Sequence, residues 1–309
     1  MKLALISKGH GPTCVAVLDN GMVLEIAPAS ADVAGPEGEV LRTGALHGII
    51  EGGEAVLAAL RALVARATAG ELAEFQHPSD GANFLAPTPQ PRKNVFCVGR
   101  NYAEHIAEGE KAQNVKIGVT EHPVFFTKPP TSVVPPEGEV LIFPALSEAI
   151  DYEVELAIVI GKPGRDIAKA DAYDHVFGYT ILNDITARDI QRRHGGQYFK
   201  GKGLDGSCPI GPWIVTADAI EDPQGLSIGT KINGAQRQDG NTSDMIFDIP
   251  TLIASLSEGM TLEAGDIIAT GTPSGVGYAM DPPAFLKAGD TVVCEISGIG
   301  TLRNTVRAV

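Results

Sequence analysis

The segment Asp151-Tyr-Glu-Val-Glu-Leu-Ala-Ile-Val-Ile160 places three carboxylates at alternate positions and then runs into an unbroken apolar stretch. Side chains alternate faces along a strand, so Asp151, Glu153 and Glu155 are expected on one side, with neighbours about 7 Å apart. At an effective dielectric near 20, two such charges repel by roughly 2 kcal/mol. A hard divalent cation bound through oxygen would offset this cost. The plainer alternative is a solvated edge strand whose charges discourage pairing with other chains. The segment by itself leaves both open.

Around it lie 309 residues, 44% of them hydrophobic and 20% charged, the composition of an ordinary soluble globular protein. That length allows one large domain, or a large one with a small companion, and a substantial core. The net charge of -14 argues against nucleic-acid and anionic-membrane partners, which require basic patches. An anionic substrate would need specific Arg or Lys side chains to overcome that field. The start, Met1-Lys-Leu-Ala-Leu-Ile-Ser-Lys8, lacks the longer apolar core of a secretory signal, and no stretch reaches the length of a membrane span. Cys14, Cys97, Cys208 and Cys294 form no Cys-x-x-Cys pair, which speaks against a zinc site or a disulfide framework. A cytoplasmic location is the expectation.

The chain divides near a proline-rich stretch. Before it, Val15 to Ile26 is two apolar runs around Asp19-Asn20-Gly21, a hairpin signal because Asn-Gly accepts positive φ. Ala, Leu and Val at helical spacing predict a helix from Glu54 to Thr68, stopped at Gly70. Pro87, Pro89 and Pro91 then mark a stiff linker. Residues 1–88 are expected to form a small N-terminal α+β domain, and residues 94–309 a larger one. In the latter, 95–98, 124–127, 154–160, 179–182 and 213–215 predict strands from their β-branched and aromatic content. The pattern Leu-x-Ala-Gly-Asp occurs at Leu262 and at Leu286, each time as a turn feeding a strand. The fold class expected is therefore α+β, mainly β, with packed β layers.

A further acidic position lies in Gly178-Tyr-Thr-Ile-Leu-Asn-Asp-Ile-Thr-Ala-Arg-Asp-Ile-Gln191, where Asp184 ends a strand. Thr186 and Asp189 have the spacing of a capping box opening a helix. His105 and Glu108, three residues apart, would share a helix face. Read singly, each admits a bland explanation: turn chemistry for Asn183-Asp184, a surface residue for His105.

Taken in order, Val98-Gly-Arg-Asn-Tyr-Ala-Glu-His105, Asp151-Tyr-Glu-Val-Glu155, Asn183-Asp-Ile-Thr-Ala-Arg-Asp189, Cys208-Pro-Ile-Gly-Pro-Trp213 and Thr270-Gly-Thr-Pro-Ser-Gly-Val276 resemble the motifs of the fumarylacetoacetate hydrolase family, over residues 94–309. The resemblance implies a mixed β-roll, a homodimer, and a divalent cation, Mg²⁺ or Mn²⁺, on Glu153, Glu155 and Asp184. Three carboxylates without His or Cys suit a hard, oxygen-preferring metal rather than zinc. The resemblance also implies that His105 and Glu108 form a water-activating pair on a mobile lid. The polar, glycine-bounded segment 109–118 is suited to such a lid. Lys202 matches a substrate-contacting lysine that would stabilise an oxyanion or enolate. It is followed here by Gly203 and Leu204, where the family more often has Ser then Phe. Gln191 matches a contact to a keto oxygen. Thr272 lies in Gly271-Thr-Pro-Ser-Gly-Val-Gly277, a turn whose backbone amides suit a substrate carboxylate but which lacks the Gly-Lys-Ser/Thr ending of a phosphate loop. Arg100, Tyr102 and Lys128 match positions near the site.

The expected substrate is a small anionic keto acid. The expected reaction is hydrolysis of a carbon–carbon bond in a 1,3-diketo acid of the acylpyruvate type, giving a pyruvate and a carboxylic acid. Other family members use the same core as decarboxylases of oxaloacetate-like acids, as tautomerases in aromatic catabolism or as hydrolases of dehydrated sugar acids. On this reading His105 separates them, because hydrolysis needs activated water whereas an enol–keto isomerisation does not. A metal-stabilised, non-catalytic dimer is the competing class; His105, Glu108 and Lys202 argue against it, since a structural site has no use for them.

Overall fold

A computed structural model describes every residue except His10, Pro89 and Ile117. The deciding segment forms a strand, Val154–Ile160, all seven residues of which are buried. It pairs antiparallel with Val176–Asn183 on one side and with Ile267–Ala269 on the other. It is thus an interior strand, and the edge-strand alternative is excluded. Burial on both faces is the reason its sequence is continuously apolar rather than alternating.

The strand starts at Val154, however, and the three carboxylates do not share one ribbon. Ile150–Asp151 pairs instead with Thr186–Ala187 in a separate two-stranded sheet, leaving Tyr152 and Glu153 as a link between the two. Asp151 thereby stays out of the group formed by Glu153, Glu155 and Asp184, and it shares with Glu153 a cationic partner described below.

Among the described residues, the main sheet has 12 strands. Beside Val176–Asn183 comes Cys208–Thr216, and beyond Ile267–Ala269 come Val95–Gly99 and Val124–Lys128. Each strand predicted from β-branched and aromatic content is present, 154–160 with the predicted bounds and the others longer by one to several residues. A five-stranded sheet, from Glu139–Ile142, Ser227–Ile232, Ala235–Asn241, Thr291–Ile296 and Gly300–Ala308, packs against the main one. Ile158 and Ile181 meet Ile228, Val292 and Ile296 in the resulting core, two β layers closed by their apolar faces. The repeated Leu-x-Ala-Gly-Asp turns feed Ile267–Ala269 in the first sheet and Thr291–Ile296 in the second. Their glycines, Gly265 and Gly289, have φ of +85° and +90°, which side-chain-bearing residues seldom adopt.

The N-terminal residues form the predicted hairpin, Gly11–Val17 and Met22–Glu25, with Gly21 at φ +79°. The predicted helix spans Gly53–Thr68. The strand Lys2–Lys8 pairs with Cys208–Thr216, so this layer extends the main sheet. Leu3, Ile49 and Leu60 share a hydrophobic cluster with Val159, Phe177 and Ile214. Of the linker prolines, Pro89 lies outside the described residues. All four cysteines are buried and free. No helix among the described residues is long and apolar enough to cross a membrane.

Candidate active site

Glu153, Glu155 and Asp184 converge where the central strand begins and its neighbour ends, because Val154 pairs with Asn183. Each offers an oxygen lying within 4.8 Å of the others, and all three residues are buried. Three cations surround them. Lys202 Nζ donates to Glu153 Oε2 (2.7 Å), Asp184 Oδ2 (2.5 Å) and Thr186 Oγ1 (2.9 Å). Lys128 Nζ donates to Asp184 Oδ1 at 2.8 Å and to the carbonyls of Ile185 and Lys202. Arg188 Nε donates to Asp151 Oδ2 at 2.8 Å. Arg188 Nη2 lies 2.7 Å from Glu153 Oε1, an ion pair off the N–H direction, so this buried nitrogen makes no hydrogen bond.

The charges do not balance. Four carboxylates (Asp151, Glu153, Glu155, Asp184) against three cations leave one negative charge in excess. It falls on Glu155, whose Oε2 accepts only the amide of Gly271 (2.8 Å). Burial, then Asp184 and Glu153, push its acid well above the ordinary 4.5. On Glu153 burial is outweighed by Lys202 and Arg188, and its acid is held down to about 2. A buried set of three oxygen ligands with surplus negative charge fits a hard divalent cation.

A stability prediction follows from Glu155. With its folded pKa raised, the folded state keeps a proton that the unfolded chain releases above about 4.5. Its contribution is therefore full below that pH and is lost as pH rises toward the folded value. Glu153 contributes a constant amount there, losing it only below 4.5, toward about 2. In EDTA the melting temperature is expected to fall as pH rises from about 5 toward 8, and added Mg²⁺ to raise it more at the upper end. A Mg²⁺ increment independent of pH would contradict the assignment.

Glu153 and Glu155 floor a cavity of about 240 Å³, with Asp184 buried behind them. On its wall, the helix Ala103–Gln113 presents His105, whose Nδ1 lies 2.8 Å from Glu108 Oε1, so the predicted pair is formed. Glu108 Oε2 accepts the amide of Gly275 at 2.8 Å, which ties this helix to the glycine-rich turn. Of the 109–118 segment, Ile117 lies outside the described residues, and the helix itself continues to Gln113.

The other predicted residues divide. Lys202, Gln191, Thr272 and Arg100 line the cavity. Lys128 does not: it is 0% exposed, behind Asp184, with its three donors used within the protein, so it is placed as a support rather than a substrate contact. Tyr102 is also off the cavity wall, packed in the core with its hydroxyl buried and unpartnered. Three of the turn amides are committed: Gly271 to Glu155, Gly275 to Glu108, Gly277 to Asp151. They hold the protein's own carboxylates instead of a substrate's. The capping box is not formed either. The helix Arg188–Arg193 follows Ala187 without a side-chain cap, because Thr186 Oγ1 donates to the Asp184 carbonyl and accepts from Lys202, while Asp189 accepts from Ser147.

Sequence reading missed Arg188, Arg192, Tyr198 and Tyr278 on the cavity wall. Arg188 stood inside a quoted motif, and its signal was the charge deficit around Asp151 and Glu153. Tyr278, with two guanidiniums near its ring, left none.

The fold and site define a β-layered enzyme in which three buried carboxylates that could hold a metal ion lie beside a His-Glu pair. The chain belongs to the fumarylacetoacetate hydrolase family: residues 94–307 match the family's domain, described as fumarylacetoacetate (FAA) hydrolase C-terminal. It is 52% identical over 237 residues to oxaloacetate tautomerase YisK of Bacillus subtilis, covering 76% of this chain and 77% of that one. It is 45% identical over 258 residues to a mitochondrial oxaloacetate tautomerase of Homo sapiens, covering 83% and 78%. The solved structure of fumarylacetoacetate hydrolase from Exiguobacterium antarcticum superimposes with a TM-score of 0.80 at 39% identity, covering 100% of both chains.

Proposed function

We propose that the chain interconverts the enol and keto forms of a small 2-oxo acid, oxaloacetate being the first candidate. The observation that carries this is the His105–Glu108 pair on the wall of a cavity floored by the carboxylate cluster. The names of the relatives at 52% and 45% identity support the choice of substrate. So does size: about 240 Å³ is below the roughly 300–1,000 Å³ of sites for larger ligands.

Glu153, Glu155 and Asp184 would hold a divalent cation, which when bound supplies Lewis-acid polarisation of the 2-oxo oxygen and favours the enolate. Arg188, on the cavity wall with its guanidinium held by Asp151 and Glu153, adds fixed positive charge beside the adjacent carboxylate. Glu108 accepts from Nδ1 and so turns Nε2 of His105 to the cavity, where the protonated imidazole gives a proton to C3 as the enol O–H releases its own to water, and in reverse the neutral imidazole takes the C3 proton as the oxygen regains one from water. Lys202 adds positive charge beside that oxygen. This gives His105 a part in isomerisation as well, contrary to the expectation that only hydrolysis needs it.

Hydrolysis of an acylpyruvate is the second reading, favoured by the same pair, which can activate water, and by likeness to a solved fumarylacetoacetate hydrolase. One panel separates them: oxaloacetate, acylpyruvates and fumarylpyruvate, each with Mg²⁺ and with EDTA, following enol absorbance and pyruvate release. Enol loss from oxaloacetate without pyruvate supports the tautomerase; metal-dependent pyruvate release from the diketo acids transfers the assignment to the hydrolase. His105→Ala is expected to lower whichever turnover is found by roughly 10²-fold with the melting temperature unchanged. Unaltered turnover would remove the imidazole from the mechanism.

A further inference from the structure

We propose that Arg192 receives the far carboxylate of the substrate, which makes the cavity selective for dicarboxylic over monocarboxylic acids; this rests on the 2-oxo acid reading of the site. The protein is strongly acidic, and most cations of the cavity are neutralised from within. Lys202 is spent on Glu153 and Asp184, and Arg188 on Asp151 and Glu153. Two guanidiniums on the wall have no carboxylate partner among the described residues, Arg100 and Arg192.

Arg192 has the better placement. It lies four residues after Arg188 on the helix Arg188–Arg193, and both guanidiniums approach the ring of Tyr278, at 4.3 Å for Arg188 and 5.1 Å for Arg192. Successive positions four apart lie on one helix face, separated along the axis by about 6 Å. Arg188 is buried at the floor, while Arg192 is exposed where the cavity opens. A short diacid anchored by one end beside Arg188 therefore extends toward Arg192, with Gln191 between them on the wall. The ring of Tyr278 restricts where Arg192 can go, so less side-chain freedom is lost on binding. Arg193, next in sequence, is exposed and does not line the cavity, and it serves as an internal control.

The test is binding of two non-reacting hydroxy acids in magnesium-containing buffer, malate and lactate, which differ in the far carboxylate. Wild type is expected to prefer malate. In Arg192→Ala the malate Kd should rise roughly fivefold or more, the scale of a partly screened ion pair, with the lactate Kd and the melting temperature unchanged and Arg193→Ala behaving as wild type. Preference for malate retained in Arg192→Ala, equal weakening of both acids, or no preference in wild type would each overturn the inference. Because no turnover is read, an enzyme inactive on oxaloacetate yet malate-selective would sink the tautomerase reading while leaving this one standing.

Discussion

Replacing Glu153 by alanine is expected to lower turnover by roughly 10³-fold or more and to destabilise the fold by about 3–5 kcal/mol. Glu153 is the shared partner of Lys202 Nζ (2.7 Å) and Arg188 Nη2 (2.7 Å), both of them buried. Removing it takes one carboxylate from each of two buried cations, leaving Lys202 on Asp184 and Arg188 on Asp151, and losing one partner from a buried ion-pair network costs far more than the net worth of the pair. The melting temperature should drop by on the order of 10 °C. Glu153→Gln keeps the shape and one acceptor for Lys202, so it should recover part of the stability and little of the activity. Turnover and thermal melts of both variants check this; an active Glu153→Ala protein would remove Glu153 from the site, and an active-site loss without destabilisation would show the ion pairs to be water-screened.

The second large effect is expected at Lys128, which touches no cavity. Lys128→Met leaves Asp184 Oδ1 and the carbonyls of Ile185 and Lys202 without their donor in a fully buried place. The cost is again about 3–5 kcal/mol. Asp184 is a candidate metal ligand oriented by this ammonium, so the Mg²⁺ concentration needed for half-maximal activity should rise roughly 10- to 100-fold, as for other groups that orient ligands. Titration of activity with Mg²⁺ separates this from a substrate-contact role, which would raise the substrate KM and leave the metal requirement and melting temperature alone.

Both effects arise from contacts that the sequence does not display. The spacing of Glu153, Glu155 and Asp184 and the three-residue interval of His105 and Glu108 are local or motif-borne, and the structure brings each group together. The shared strand face predicted for Asp151 failed because the chain leaves the sheet at Tyr152–Glu153. No side-chain periodicity announces such a break. The capping box at Thr186 failed for a related reason: a buried ammonium competes for the same hydroxyl.

The amino-acid sequence by itself determined a strand over 154–160, through its β-branched apolar run, and the hairpin and the helix Gly53–Thr68, through turn chemistry and helical spacing; that the strand is interior was decided by its pairing on both sides. The sequence also named three carboxylates, Glu153, Glu155 and Asp184, which the structure gathers into a buried group that could hold a metal ion. Tertiary structure alone decided which charges neutralise which. Asp151 meets Arg188 across 37 residues of sequence and Lys128 meets Asp184 across 56, and the glycine turn gives its amides to carboxylates more than 100 residues away. Local propensity acts over a few residues, whereas ion pairing depends on distance in space and on exclusion of water. Only the packed sheets set those quantities.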